Sequence, residues 1–250
     1  MRVAILGAGM TGLLAAKALT ENDVEYTLFD KNPRAGASNN PGLHYLHDNC
    51  GLPLEPKIVF NYIIGCKEGE LPHEQYSRKL GTPLNNSLVD LPAYSVVYDF
   101  QEAYNILLHR YGKKVQHLEI VPSMMESLLE RYDKVISTIP LPVLFPEAKC
   151  EYVEVQAVKG RPFPTPILPD DNQVVYNIDE NVNWYRYSRV FGAEWTEVKQ
   201  GGNFTIKKVV DTNFRSPNDR VILLGRWGSW NRKFLAHHAY YETLRRLSKW

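Results

Sequence analysis

Six residues near the start of the chain, Gly7-Ala8-Gly9-Met10-Thr11-Gly12, have the types and spacing to hold a pyrophosphate. In a G-x-G-x-x-G turn the first glycine permits a tight reversal. The second lets the backbone close on the phosphates, and the third lets helix and strand pack together, with the free N–H groups of a helix N-terminus facing the anion. Asp30 follows at the spacing of a carboxylate that accepts ribose hydroxyls, which argues against a 2′-phosphate, although Lys31 and Arg34 stand close by. A glycine-rich turn can be purely structural, so the motif needs a strand before it and a helix after it. Arg186 and Arg226 carry guanidinium groups suited to forked hydrogen bonds with phosphate, carboxylate or a ring carbonyl. A surface charge is the other reading of Arg186. Trp184, Tyr185, Tyr187, Trp227 and Trp230 could form an aromatic wall, although aromatic residues in strands more often fill a core. His237 and His238 are adjacent in a helical stretch and are expected on different faces, as structural residues or a weak cofactor contact.

The elements that must position these groups surround them. Residues 2–6 are an apolar run, residues 10–21 are rich in Ala and Leu at helical spacing, and residues 25–30 form a second strand. This strand–turn–helix–strand unit opens a Rossmann-like α/β fold. A nicotinamide-binding domain would next supply a helix and a third parallel strand. Residues 32–56 are instead full of Pro, Gly and Asn and are expected as an ordered loop. The missing third unit argues for FAD, because a flavin needs the chain to leave the nucleotide core. A closing strand at 221–224, then Gly225, Arg226 and a helix from about Phe234 to Ser248, argues the same way. An ordinary last strand and helix is the plainer reading of that closing element.

Between the two ends, the pattern predicts a strand at 57–65, a polar turn-rich stretch at 68–92, and a helix from the Asp99/Glu102 capping box to about Arg110. A strand at 115–121, expected to contact adenine, a helix capped by Ser123 with Glu126, and a strand at 134–139 follow. Antiparallel strands are expected at 151–158, 174–178, 184–191 and 204–210, with Pro162, Pro164, Pro166 and Pro169 marking a linker-like stretch. The chain thus divides into an FAD-binding domain (1–56, 96–150 and 211–250) and a small mixed or antiparallel β substrate lobe (57–95 and 151–210), the arrangement of the glutathione-reductase-type flavoprotein fold.

Hydrophobic content of 44% and charged content of 23% in 250 residues suit a globular protein with a sizeable core. A formal charge of +1 carries no signal for nucleic acid or a membrane surface. Cys50, Cys66 and Cys150 form no CxxC pair, so neither a disulfide framework nor a zinc site is expected, and a reducing, cytoplasmic setting follows. With a strand starting at Arg2 no leader is expected, and no apolar run approaches a membrane span. The expected partner is a small-molecule substrate, and oligomeric state is left open. Nothing resembles a Ser-His-Asp or Cys-His nucleophile set.

Four stretches resemble UDP-galactopyranose mutases, within the wider class of amine-oxidase-like flavoproteins. They are the glycine turn with Asp30 and Asn32-Pro33-Arg34-Ala35-Gly36; Gly42-Leu43-His44-Tyr45-Leu46-His47-Asp48-Asn49, similar to the mutases' G-x-H-x-x-H-x-N loop beside the flavin; Tyr132 to Pro140, similar to the strand that returns to the cofactor; and the closing Gly225-Arg226. Asp179 to Arg186 is a weaker match to the mutase strand whose arginine faces the substrate diphosphate. The resemblance implies an FAD site built from Gly7, Gly9, Met10, Thr11, Gly12, Asp30, Lys31, Arg34, Gly36, His44, Thr138, Gly225, Arg226 and Phe234. It also makes His44, Arg186 and Trp230 the candidate catalytic residues, and His47 a second imidazole near the flavin.

The departures bear on activity. Ala37 stands where the family has glycine, and Asp30 where it usually has Glu. Residues 68–92 are too short for the mutases' helical substrate lobe, and Trp227-Gly228-Ser229-Trp230 replaces a stretch with a tyrosine that meets the sugar nucleotide. The expectation is an FAD-dependent oxidoreductase taking a hydride from a small amine or amino-acid-like group, possibly attached to a larger molecule. Non-redox mutase chemistry on a nucleotide sugar and a non-catalytic Rossmann scaffold are the alternatives.

Overall fold

Short apolar runs separated by glycine, proline and polar turns form most of the strands. The structure, a computed structural model, describes residues 1–32, 45–81, 88–161 and 172–250. In chain order the first half contains β1 (Arg2–Leu6), α1 (Met10–Thr20), β2 (Glu25–Asp30), β3 (Tyr45–Leu46), β4 (Lys57–Ile64), α2 (Pro72–Leu80), β5 (Tyr94–Asp99), α3 (Phe100–Tyr111), β6 (Val115–His117), α4 (Met125–Arg131), β7 (Lys134–Ser137) and α5 (Leu141–Leu144). The second half adds β8 (Tyr152–Lys159), β9 (Gln173–Asn177), β10 (Trp184–Val190), β11 (Ala193–Val198), β12 (Phe204–Val209), β13 (Val221–Leu223), α6 (Gly225–Gly228) and α7 (His238–Leu247).

Two sheets result. The parallel sheet runs β13-β7-β1-β2-β6, and the larger, mostly antiparallel one runs β12-β8-β11-β10-β9-β4-β5-β3. Val3, Ile5 and Ile136 are fully buried in the first, as expected for a parallel sheet covered on both faces. α1 packs against α3 and α7 on one of those faces, and its Ala and Leu side chains are buried almost all round. Among the described residues no helix is long and apolar enough to cross a membrane.

Several expectations need correction. The third parallel strand is deferred rather than missing: β6 pairs with β2 in register Leu28↔Val115, after the chain has visited the other sheet through β3, β4 and β5. It spans three residues rather than seven. The polar stretch at 68–92 contains α2, whose buried side mixes apolar Tyr76 and Leu80 with polar residues. Gln75 donates to the carbonyls of Gly65 (2.8 Å) and Ile178 (3.1 Å), and Lys79 Nζ donates to those of Asn177 (2.8 Å) and Trp184 (2.6 Å). Buried polar groups satisfied by backbone carbonyls reduce the apolar periodicity to that single pair. β5 and β11 were not anticipated; β11 hides a buried ionised residue, Glu197. Ser123 lies inside a 3₁₀ turn, and α4 starts from Met124 with no side-chain cap. α7 begins at His238, four residues later than expected.

Asp99 caps α3 as its spacing predicts. Asp99 accepts from the N–H groups of Gln101 (2.7 Å) and Glu102 (3.1 Å). Replacing such a cap by alanine costs about 1 kcal/mol. Asp99→Ala is therefore expected to lower the thermal midpoint by about 2–4 °C, read by circular dichroism, and an unchanged midpoint would show that the cap contributes nothing.

Candidate functional site

The glycine turn closes as its spacing requires. Gly7 has φ +98 and donates its N–H to the Phe29 carbonyl at 2.7 Å. A Cβ at Gly12 would stand 1.8 Å from the Gly7 oxygen, so the helix can sit this close to the strand only without a side chain there. Gly9 is different. It has φ −72, which any residue adopts, and a Cβ there would meet nothing within 4 Å among the described residues. The protein's own packing therefore explains Gly7 and Gly12 but not Gly9, whose bare backbone suits the approach of a phosphate. α1 begins at Gly9 with no side-chain cap and no acidic residue in its first turn, leaving its positive end to an anion.

Asp30 ends β2 and accepts from the N–H groups of Ala8 (2.7 Å, Oδ2) and Asn32 (2.8 Å, Oδ1). Each oxygen keeps a second lone pair for a ribose hydroxyl. Tyr104 of α3, unmarked by any motif, lies close enough to Asp30 for its phenol to be pushed up to about 12, first by burial and then by that carboxylate. Lys31 is exposed and reaches Glu119 at 3.5 Å. Met10 is buried. The Thr138 hydroxyl donates to the Leu6 carbonyl at 2.9 Å, with the Gly7 oxygen 3.2 Å away, and so closes the floor of the turn. Arg34, Gly36 and His44 lie outside the described residues.

The closing element packs directly on this turn. Gly225, at φ +77, would place a Cβ 2.6 Å from Thr11 Cγ2, and one at Gly228 would stand 2.6 Å from the Ser137 oxygen. These approaches bring Arg226 beside the start of α1. Arg226 keeps an accessible surface yet is desolvated by surrounding protein, the situation of a side chain lining a concavity. That desolvation, and then the like charge of Arg186, holds its pKa below the ordinary value. It makes no hydrogen bond or ion pair with the described residues.

Arg186 on β10 belongs to a buried cluster. Glu197, 2% exposed, accepts from Arg186 and from Lys208 Nζ, the latter at 2.6 Å. Burial pushes the Glu197 carboxyl up, but Arg186 and Lys208 outweigh it and hold it below its usual range. Lys208 is lowered by burial and by the charges of Arg186 and Arg226 in spite of Glu197. Glu197 thus pairs with two cations, Arg186 and Lys208, while Arg226 adds a third positive charge nearby that Asp211 offsets at a distance, and Arg186 Nε is buried with no partner among the described residues. Neither Glu197 nor Lys208 carried a motif; an acid inside an otherwise apolar strand was the available signal.

The polar seam continues past Arg186. Tyr176 lies opposite it on β9, with its ring 6.0 Å from the guanidinium. The Tyr45 phenol is pushed up to about 12 by burial and by Tyr176, against the pull of Arg186. Tyr45 packs edge-on against His47 at 4.9 Å between ring centroids. His47 lies 6.0 Å from His237, which lies 4.3 Å from His238. The two adjacent histidines differ in access, His237 buried and His238 exposed, as residues on different faces do, although their rings touch at the entrance to α7.

Trp230 is buried, donates its indole N–H to the Glu151 carbonyl at 2.8 Å, and packs edge-on against the half-buried Trp227. Phe234 is half-buried, with its ring 5.8 Å from that of His238. A cavity of about 320 Å³ lined by Arg161, Gln173, Tyr187, Arg189 and Glu194 lies on the other face of β10, since Tyr187 and Arg189 alternate with Arg186. It is separate from the seam.

Two substitutions separate ligand approach from packing. Gly9→Ala is expected to keep the thermal midpoint while weakening dinucleotide binding roughly tenfold, a change of about 1.4 kcal/mol. Gly12→Ala should lower the midpoint even without ligand; equal behaviour of the two would refute the assignment of Gly9. Glu197→Gln leaves Arg186 and Lys208 buried without their counter-charge, for an expected loss of about 3–5 kcal/mol in chemical denaturation.

The comparisons agree with this geometry. Residues 5–59 match the NAD(P)-binding Rossmann-like domain family. No curated protein matches the chain. Among solved structures it is similar to reduced UDP-galactopyranose mutase (13% identity, TM-score 0.55), over 99% of this chain and 93% of that one. It is similar to an oxidoreductase from Methanosarcina mazei (11% identity, TM-score 0.53), over 99% of this chain and all of that one (100%). A probable FAD-dependent monooxygenase from Pseudomonas aeruginosa matches at 12% identity and TM-score 0.52, over 100% of this chain and 87% of that one. At these identities the likeness is one of fold: the chain has the Rossmann-like α/β fold of FAD-binding flavoproteins, joined to a mostly antiparallel sheet.

Proposed function

We propose that the chain is an FAD-dependent oxidoreductase acting on a small amine or amino-acid-like group, free or attached to a larger molecule. The observation that carries this reading is the close packing of Gly225 on Thr11, which sets Arg226, whose guanidinium makes no hydrogen bond among the described residues, next to the glycine turn with its open backbone at Gly9. It joins a phosphate-binding turn to a charged seam at which a substrate can be oriented. We assign 1–56, 96–150 and 211–250 to the cofactor side and 57–95 and 151–210 to the substrate side, although β3 and the end of β5 join the larger sheet.

FAD, when bound, accepts a hydride at N5. The chain supplies the rest. Gly7, Gly9, Met10, Thr11 and Gly12 would form the pyrophosphate turn, with Thr138 beneath it, and Asp30 would take the ribose; Gly225, Arg226 and Phe234 would serve the ring end, and the family resemblance assigns Lys31, Arg34, Gly36 and His44 to the same cofactor. Arg186 and Arg226 hold an acidic group of the substrate, which brings negative charge to a site where Glu197 is already paired with Arg186 and Lys208. Trp230 acts from behind Trp227 to exclude water, and His44 and His47 hold or accept the proton that leaves the substrate nitrogen.

Non-redox mutase-like chemistry on a nucleotide sugar is the second reading, favoured by the same cationic seam, which would equally hold a diphosphate. The test begins with the absorption spectrum of the protein after FAD addition and desalting. Twin flavin bands, bleached anaerobically by a member of an amine and amino-acid panel, are the expected result. A flavin-loaded protein that no amine bleaches, but that turns over a nucleotide sugar once reduced with dithionite, would transfer support to the second reading. Refusal of FAD would remove both and leave a scaffold.

A further inference from the structure

The three imidazoles at the end of the seam occupy one small volume. His47 comes from the turn after β3, while His237 and His238 come from the entrance to α7. Their rings stand 6.0 Å and 4.3 Å apart in sequence His47–His237–His238. They differ in access: His47 and His238 are exposed, whereas His237 is 8% exposed and its Nδ1 is buried with no hydrogen-bond partner among the described residues. His238 Nδ1 accepts from the Leu235 N–H at 3.2 Å, which orients its ring.

The acidic and basic groups around them are few. Asp48 is the nearby carboxylate, and it is already occupied: its Oδ1 accepts from the Cys50 N–H (2.7 Å) and the Tyr241 hydroxyl (2.8 Å). From α7, Glu242 is held by Arg245 and Arg246. From α1, Lys17 pairs with Glu21. From β3, Tyr45 contributes a neutral phenol against His47. Asp48 keeps its charge and favours a proton on His237, and among the described residues no carboxylate forms an ion pair with any of the three rings. Two like charges about 6 Å apart at an effective dielectric near 20 separate their titrations by about two pH units.

We propose that His47, His237 and His238 act as a single proton-holding unit that accepts one proton between them, so that His47 presents a neutral ring to the seam near neutral pH. His237 and His238 are then positioning residues acting through His47. The functional meaning rests on the reading of the seam as the substrate site: a neutral His47 can accept one proton from a substrate, and the unit refuses a second. The directions of titration agree. His47 is held below its ordinary value by burial and then by His238, and His237 is pushed down to about 4 by burial, His238 and His47. Ring pairs of this kind titrate as one system, with midpoints that belong to the group.

The test is an NMR pH titration of the histidine ring protons in the full chain, with and without FAD, on the wild type, His237→Asn and His238→Asn. His47 is expected to titrate below 6.5 in the wild type and to move up by about one pH unit in at least one variant. His237→Asn removes a buried ring and risks the fold, so the exposed His238→Asn keeps the test decisive. An unmoved His47 in folded His238→Asn and in His237→Asn, or in the former alone if the latter unfolds, overturns the proposal. Because the readout needs neither cofactor nor turnover, it stands or falls separately from the flavoenzyme reading.

Discussion

Main chain touching main chain at the C-terminal ends of β1, β7 and β13 is the constraint on which the rest of this structure depends. Four glycines make it possible. Gly12 lets α1 start against the Gly7 carbonyl, Gly228 lets α6 lie on the Ser137 carbonyl, and Gly7 and Gly225 adopt left-handed conformations facing Thr138 and Thr11. A methyl group at any of the four would meet an atom at 2.6 Å or less. Because these contacts fix where the ends of three parallel strands stand, they also fix where the positive end of α1 points and where Arg226 emerges.

The second organising feature is electrostatic and lies in the other sheet. A carboxylate as buried as Glu197 is costly unless it is paired and hydrogen-bonded, and here it holds Arg186 and Lys208 at once. The arrangement is rigid on the carboxylate side and unfilled on the cationic side, where Arg226 adds charge without adding a partner. The packing that explains Gly7 and Gly12 does not explain these excess donors, just as it does not explain Gly9. Both features become intelligible when something negative is bound, phosphate at one end of the seam and an acidic group at the other.

The outline of the nucleotide half was legible because its signals are local. An apolar run, three glycines at fixed spacing and an acid at the next strand end require no knowledge of distant residues, and Asp99 announced α3 in the same way. The misses share a different cause. α2 buries Gln75 and Lys79 against carbonyls supplied by residues about a hundred positions away, so much of its inner face reads as surface. β11 conceals Glu197 for the same reason, since the cations that justify its burial lie on β10 and β12. β6 is too short to show an alternation, and only its pairing with β2 identifies it as the third parallel strand. In the site, arginines could be singled out by type, but the joining of Arg186 to Glu197, Lys208 and Tyr176 is a product of sheet register.

The deferred strand order also shapes how such a chain reaches its native state. β1 and β2 emerge early, but β6 joins β2 only after residue 115, and β13 joins β7 only after residue 221. Between those points the chain lays down much of a second sheet, so the β7 edge of the parallel sheet stays open from residue 137 until β13 is made. Pairings so distant along the chain are slow to form, because a large loop-closure entropy precedes any compensating contact. A ribosome-bound chain ending before β13 would expose Val135 and Ile136 along an unpaired edge, the kind of surface that invites association with other chains or capture by a chaperone.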